Sequence, residues 1–324
     1  MTRKTVVTGG AGFIGRNCVA ILNQRGVDDI IIVDTLGTDE KWRNLRGLLY
    51  EDILSPTEFL TRLSSNAAEP IDAILHLGAC SATTERDADF LLDNNYHYTR
   101  TLCEWSLKNE ARFIYASSAA TYGNGSLGYT DSDDTTLTLR PLNMYGYSKH
   151  MFDLWALKHK LFDRIVGLKY FNVFGPYEDH KDDMRSVVSK SYNQILRDGK
   201  TKLFRSYLSN YKDGEQKRDF IYVRDAVDVT IWFLENRDRG GLFNCGSGVA
   251  RTWKDLATAV FNAMNLPANI EFIDMPDTLR EKYQYFTQAN MDKLRGAGYT
   301  SQFTPLESAV TDYIQNYYMK VEAE

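Results

Sequence analysis

The chain has 324 residues, 43% of them hydrophobic and 25% charged, with 22 Gly, 7 Pro and a formal net charge of −5. Those values belong to a soluble globular chain of about two domains and exclude collagen-like, disordered and disulfide-framework classes. The acidic balance argues against a nucleic-acid or anionic-membrane partner, while leaving room for a local basic pocket.

The four cysteines (Cys18, Cys80, Cys103 and Cys245) stand far apart with no CxxC spacing, as free thiols of a reducing compartment do. No stretch approaches the roughly 18 apolar residues of a membrane span. The Met1-Thr2-Arg3-Lys4 start is followed by too short an apolar run for a leader peptide. A cytoplasmic protein is expected.

Taken in chain order, Thr5–Thr8 reads as a strand, Phe13–Arg25 as a helix and Ile30–Asp34 as a second strand. Ala73–Leu77, Arg112–Ala116 and Ile165–Tyr170 continue the series, with helical stretches between them, including Tyr145–Phe162. Near-continuous apolar strands without polar alternation indicate a parallel sheet buried on both faces. The expected fold is therefore α/β, a doubly wound parallel (Rossmann) sheet with a smaller C-terminal α/β domain. Beyond residue 171 the pattern loosens, and residues 177–218 offer only Lys202–Phe204 as a strand. Val223–Leu234 and Leu242–Cys245 read as returns to the first domain. Helices at Trp253–Met264 and Pro305–Tyr317 surround a strand at Ile270–Ile273. The expected division is 1–170, with returns around 219–247, for the dinucleotide domain, and 171–218 with 248–324 for the substrate domain. The acidic Asp131–Asp134 run and the Glu322–Glu324 tail read as solvated surface.

Gly9, Gly12 and Gly15 lie in TGGAGFIG, between the first strand and the first helix. The first glycine allows the tight turn, the second lets backbone approach a pyrophosphate, and the third lets helix and strand pack. The helix N-terminus then offers unpaired N–H groups to the phosphates. Asp34 ends the next strand, 19 residues after Gly15, where a carboxylate bonds the adenosine ribose and favours NAD. Lys41, a few residues on, can instead pair with a 2′-phosphate and favour NADP. The residues leave that choice open. Tyr145 and Lys149 share one helix face at i and i+4, so the ammonium, together with a nicotinamide cation, is expected to favour the phenolate of a tyrosine base. Ser118 ends the strand RFIYASS, placed to bond a reacting oxygen. No metal-ligand constellation is present.

With these motifs the chain resembles the extended short-chain dehydrogenase/reductase family over essentially its whole length. Asp52-Ile53 resembles that family's adenine-contacting pair, His76–Ala79 its fourth-strand wall, and Asn94-Asn95 and RDFIYV (218–223) two further motifs. Narrower similarities, to the ADP-heptose 6-epimerases, lie in GACS (78–81), DNNY (93–96), YASSAATYG (115–123), PLNMYGYSK (141–149), YFNVFGP (170–176), His180-Lys181 and YQYFTQA (283–289).

The resemblance implies inversion of C6″ of an ADP-sugar by transient oxidation and re-reduction, with NADP or NAD as a resident cofactor. It implies Tyr145 and Lys181 as acid/base groups on opposite faces of the carbon, supported by Ser118 and Lys149. Cofactor contacts would come from Gly9, Gly12, Phe13, Ile14, Gly15, Asp34, Thr35, Lys41, Asp52, Leu77, Gly78, Ala79, Asn94, Lys149 and Val173. Substrate contacts would come from Ser118, Asn172, Asp183, Lys190, Phe204, Arg205, Arg218 and Tyr283. A homo-oligomer is also implied.

The chain departs from the pattern at Leu77, where Glu is common, at Ser55-Pro56, which lacks a second cofactor-side lysine, at Asp183 and Lys190, and in a longer 205–215 stretch. A UDP-hexose 4-epimerase shares Ser118, Tyr145 and Lys149 without needing Lys181. An NADPH-dependent nucleotide-sugar reductase is the other alternative. Ala119-Ala120, where a 4,6-dehydratase carries an acid pair, argues against elimination.

Overall fold

A computed structural model describes residues 3–65, 70–280 and 283–321. Met1, Thr2 and the Glu322–Glu324 tail lie outside them. Twelve strands are described: β1 (Lys4–Thr8), β2 (Ile30–Val33), β3 (Asp52–Leu54), β4 (Ile71–His76), β5 (Arg112–Ser118), β6 (Ile165–Tyr170), β7 (Asn172–Phe174), β8 (Thr201–Phe204), β9 (Lys217–Tyr222), β10 (Gly241–Cys245), β11 (Ala250–Thr252) and β12 (Ile270–Ile273).

Seven of them form the main sheet in the order β10-β6-β5-β4-β1-β2-β3, and every adjacent pair runs parallel. Alternate residues face two separate cores. Val7, Ile32, Leu75 and Ile114 pack towards helices Phe13–Gln24 and Val223–Glu235. Val6, Ile31, Ile74 and Phe113 pack with residues of helices Pro56–Ser64, Tyr98–Lys108 and Met144–Lys158. Because side chains alternate along a strand, burial on both faces requires this unbroken apolar lettering. The order reverses between β1 and β4, and crevices at such switch points, outside the strands' carboxyl ends, are where α/β sheets bind ligands.

Two small sheets complete the fold, β11-β9-β7 and β12-β8. Here the structure corrects the polar reading of 177–218. Val187–Asp198 is a helix, opened by the Ser186 cap and closed by Gly199 at φ +64°. Its Val188, Tyr192 and Ile195 form a buried stripe that the surrounding Lys, Arg and Asp obscure. β10 joins β6 and so returns to the main sheet, whereas β9 pairs with β7 and β11. The Tyr145–Phe162 helix ends earlier, at Lys158, with a short turn at Leu161–Asp163. No helix among the described residues is long and apolar enough to cross a membrane.

Candidate active site

At the carboxyl ends of the main sheet's strands lies a cleft of about 540 Å³. Its floor is the glycine loop after β1. Gly9 has φ +68°, and a Cβ there would come 2.7 Å from Gly78 Cα. A Cβ on Gly15 would run into the Gly9 carbonyl. The loop is thus a cradle that side chains would fill, and the Phe13–Gln24 helix starts directly behind it with no side-chain cap on its N–H groups. That geometry suits a pyrophosphate.

Asp34, just past β2, ties the cradle together. Its Oδ2 accepts from Ala11 N at 2.9 Å, and its Oδ1 accepts from Thr35 N at 2.7 Å and Lys41 Nζ at 2.6 Å. Phe13, Ile14, Leu77, Gly78, Ala79 and Val173 line the same cleft. Gly78 N donates to Thr8 Oγ1, which also meets His76 Nδ1 at 2.7 Å. Burial lowers the His76 imidazole to about 3, so it stays neutral and serves as a strut.

On the facing wall, Asn143 caps the helix that carries Tyr145 and Lys149, accepting from Gly146 N at 2.8 Å. Tyr145, Lys149 and Ser118 all line the cleft. Burial raises the Tyr145 phenol, and the Ser118 hydroxyl opposes that rise without cancelling it. The Lys149 ammonium is desolvated as well, and falls to about 8. Beneath them Asp153 and Lys169 form an ion pair at 2.7 Å, both fully buried. The carboxylate also accepts from Tyr115 Oη and Ser117 Oγ, and Lys169 donates to Thr121 Oγ1.

Lys181 also lines the cleft, on the Asp179–Met184 turn, its Nζ 5.2 Å from the centroid of the Phe13 ring. Burial lowers its ammonium, and the Glu178 carboxylate opposes that.

The other candidates are distributed unevenly. Asn172 lines the cleft. Arg218 is buried, its guanidinium 5.6 Å from the ring of cleft-lining Trp253 and 5.1 Å from that of Tyr283, whose hydroxyl accepts from Trp253 Nε1. Among the described residues no carboxylate pairs with Arg218, and burial lowers its guanidinium. Lys190 sits near enough to depress Lys181, and its Nζ donates to the Asp183 carbonyl. Phe204 and Arg205, like Arg218 and Tyr283, are not among the residues lining the cleft, and Arg205 Nε donates to the Phe272 carbonyl at 3.3 Å. Asp52 meets Arg62 and its own neighbour Ile53 N. Asn94 acts through Asn95, whose amide spans Cys80 and Ser148. The candidate site residues omitted His180 and Gln284, both in the lining. His180 Nδ1 lies 3.1 Å from Asn44 Nδ2, and its place beside Lys181 was the available signal.

A Rossmann cradle faces a tyrosine–lysine helix across one cleft, and the NAD dependent epimerase/dehydratase family matches residues 5–246. The chain belongs to that family. ADP-L-glycero-D-manno-heptose-6-epimerase of Nitratidesulfovibrio vulgaris is 56% identical over 96% of this chain and 97% of its own length. The protein of that name from Fusobacterium nucleatum is 47% identical over 98% and 99%. Among solved structures, the Helicobacter pylori ADP-L-glycero-D-manno-heptose-6-epimerase aligns with a TM-score of 0.81 at 26% identity, covering 97% of this chain and 96% of the other.

Proposed function

We propose that the protein inverts C6″ of ADP-D-glycero-D-manno-heptose to give the L-glycero epimer. The observation that carries this reading is the presence of two proton-handling side chains, Tyr145 and Lys181, in one cleft beside a dinucleotide cradle. The names of the 56% and 47% identical relatives supply the substrate. When bound, the nicotinamide supplies a reversible hydride acceptor and a positive charge beside the Tyr145 phenol. The chain's own residues do the rest. Either Tyr145 or Lys181 would take the C6″ hydroxyl proton while the C6″ hydride passes to that acceptor, leaving a ketone at C6″. After the ketone turns about C5″–C6″, the same hydride would return to the opposite face of C6″ as the other group protonates the oxygen. Ser118 would hold the reacting oxygen, and Lys149 would bond the nicotinamide ribose. Arg218, buried between Trp253 and Tyr283, offers an unpaired charge to the substrate diphosphate, with Asn172 and Lys190 towards the sugar.

For the cofactor we infer NADP over NAD, since Lys41 neutralises Asp34 where a 2′-phosphate would lie. We propose cofactor binding in 1–170 with the expected 219–247 return, narrowed to 223–245 because β9 pairs outside the main sheet, and substrate binding in the remaining segments. Exposed Phe90 and Tyr147 support a homo-oligomer, and four unbridged cysteines support the cytoplasm.

The test is NMR of C6″ stereochemistry during incubation with ADP-D-glycero-D-manno-heptose. Inversion is expected, with loss of about 10²-fold or more in Lys181→Met. No inversion, together with C4 inversion of a UDP-hexose, would overturn the reading.

A further inference from the structure

Lys181 stands on a segment that regular secondary structure does not hold. Tyr177 has φ +74° and Asp182 has φ +44° with ψ −118°, conformations that are strained for non-glycine residues and persist only under outside restraint. The Lys181 amide donates to the Glu178 carbonyl at 3.0 Å, so the lysine is placed by whatever fixes residues 177–179.

The far end of the chain fixes them. Glu178, fully buried, accepts from Ser186 N at 2.6 Å, Ser186 Oγ at 2.5 Å and Tyr313 Oη at 3.2 Å. The two Asp179 carboxylate oxygens accept from Tyr317 Oη at 2.9 Å and Tyr318 Oη at 2.8 Å. Tyr318 also stacks on Tyr192, with centroids 4.5 Å apart. Tyr317 meets Tyr177 edge-on at 4.9 Å, and the Arg16 guanidinium lies 3.6 Å from the Tyr177 ring centre. The 177–179 stretch is thereby gripped between the helix behind the glycine cradle and the C-terminal helix.

The grip depends on an irregular turn. After Tyr313 the α-helix passes into a π-helical segment, Ile314–Tyr318. An α-helix turns about 100° per residue, which would send Tyr318 well away from Tyr313. The i→i+5 closure of a π turn brings them together, and their hydroxyls lie 2.9 Å apart.

We propose that Tyr313, Tyr317 and Tyr318 are positioning residues for Lys181, acting through Glu178 and Asp179; this rests on Lys181 being the second proton-handling group. The tyrosines do not line the cleft, so their effect belongs on the rate at one face of the carbon and not on substrate binding.

The test uses the full-length enzyme loaded with its cofactor and the double variant Tyr317→Phe/Tyr318→Phe, which keeps the rings and deletes two donors. Amide hydrogen exchange in 177–186 is expected to accelerate at least tenfold, with 144–158 unchanged. Single-turnover reduction of the cofactor at 340 nm is expected to slow about tenfold from one C6″ epimer and to hold from the other, with KM within threefold of wild type. Asp179→Asn, which retains the side chain's shape, should show the same asymmetry more weakly. Unchanged exchange in 177–186, or equal slowing from both epimers, would overturn the positioning role. Altered exchange in a protein whose wild type oxidises neither epimer would instead overturn the proposed function and leave the grip standing.

Discussion

The two sides of the cleft are built by different means. Tyr145 is carried on a capped helix of 15 residues and backed by a fully buried network of Asp153, Lys169, Tyr115, Ser117 and Thr121. Lys181 is carried on a six-residue turn with strained backbone on either side, held by tyrosines more than 130 residues further along the chain. One group is placed by local structure and core, the other by long-range polar contacts. The lesson is that a rigid scaffold can present one of the two proposed proton-handling groups in fixed register while the second is held by restraints that can be weakened separately.

Removing the group on the rigid side should give the largest effect. Tyr145→Phe deletes the proposed proton acceptor but retains the ring in its pocket, so kcat should fall by about 10²–10⁴ with fold and cofactor content unchanged. Steady-state rates with absorbance of the bound cofactor check this; activity within tenfold of wild type would assign the chemistry to Lys181 alone.

The contrast also explains what could be read from the letters. The glycine cradle, Asp34, Ser118 and the Tyr145/Lys149 pair are local patterns, and their spacing encodes their geometry. The six longer strands of the main sheet are legible for the same reason, since burial on both faces forces apolar runs. β7 and β11 have three residues each and exist only through β9, so no local pattern announces them. The Val187–Asp198 stripe was present but diluted by charge. Phe204 and Arg205 were legible as a strand end; whether they reach the cleft depends on β8 pairing with β12, some 70 residues distant. Nothing near Lys181 points to Tyr317 or Tyr318.

Two substitutions on the Tyr145 side sharpen the contrast through stability. Asp153→Ala would leave Lys169 buried without its counterion and strip partners from Tyr115 and Ser117. A loss of about 3–5 kcal/mol is expected, read as a fall in the urea midpoint. Lys149→Met should act in the opposite direction. The folded ammonium titrates at about 8 against 10.5 unfolded, so between those values the unfolded chain holds more protons and stability rises with pH. Below pH 8 the full cost of the buried charge applies, about 3 kcal/mol. The methionine variant should therefore be inactive yet more stable at pH 7, with its advantage shrinking between pH 8 and 10.5. Denaturant melts at pH 7 and 10 measure the difference, and a variant less stable at pH 7 would mean that Lys149 is a net stabiliser.

The smallest expected effect concerns the cofactor end, shared by both sides of the cleft. Lys41 Nζ is only one-fifth exposed as a side chain and lies 2.6 Å from Asp34, which also holds the glycine loop through Ala11. Lys41→Ala removes the cation but leaves the Asp34–Ala11 bond, so the cradle should keep its shape. The freed carboxylate then faces the adenosine ribose alone, where it bonds a 2′-hydroxyl and repels a 2′-phosphate. Affinity for NADP should fall about tenfold, the scale of one charge-assisted hydrogen bond, while that for NAD stays level or improves. Titration of the cofactor-free protein with each dinucleotide reads the ratio directly. Equal losses for both would show that Lys41 serves the loop and not the phosphate, and would return the cofactor preference to the bare Asp34 carboxylate, which favours NAD.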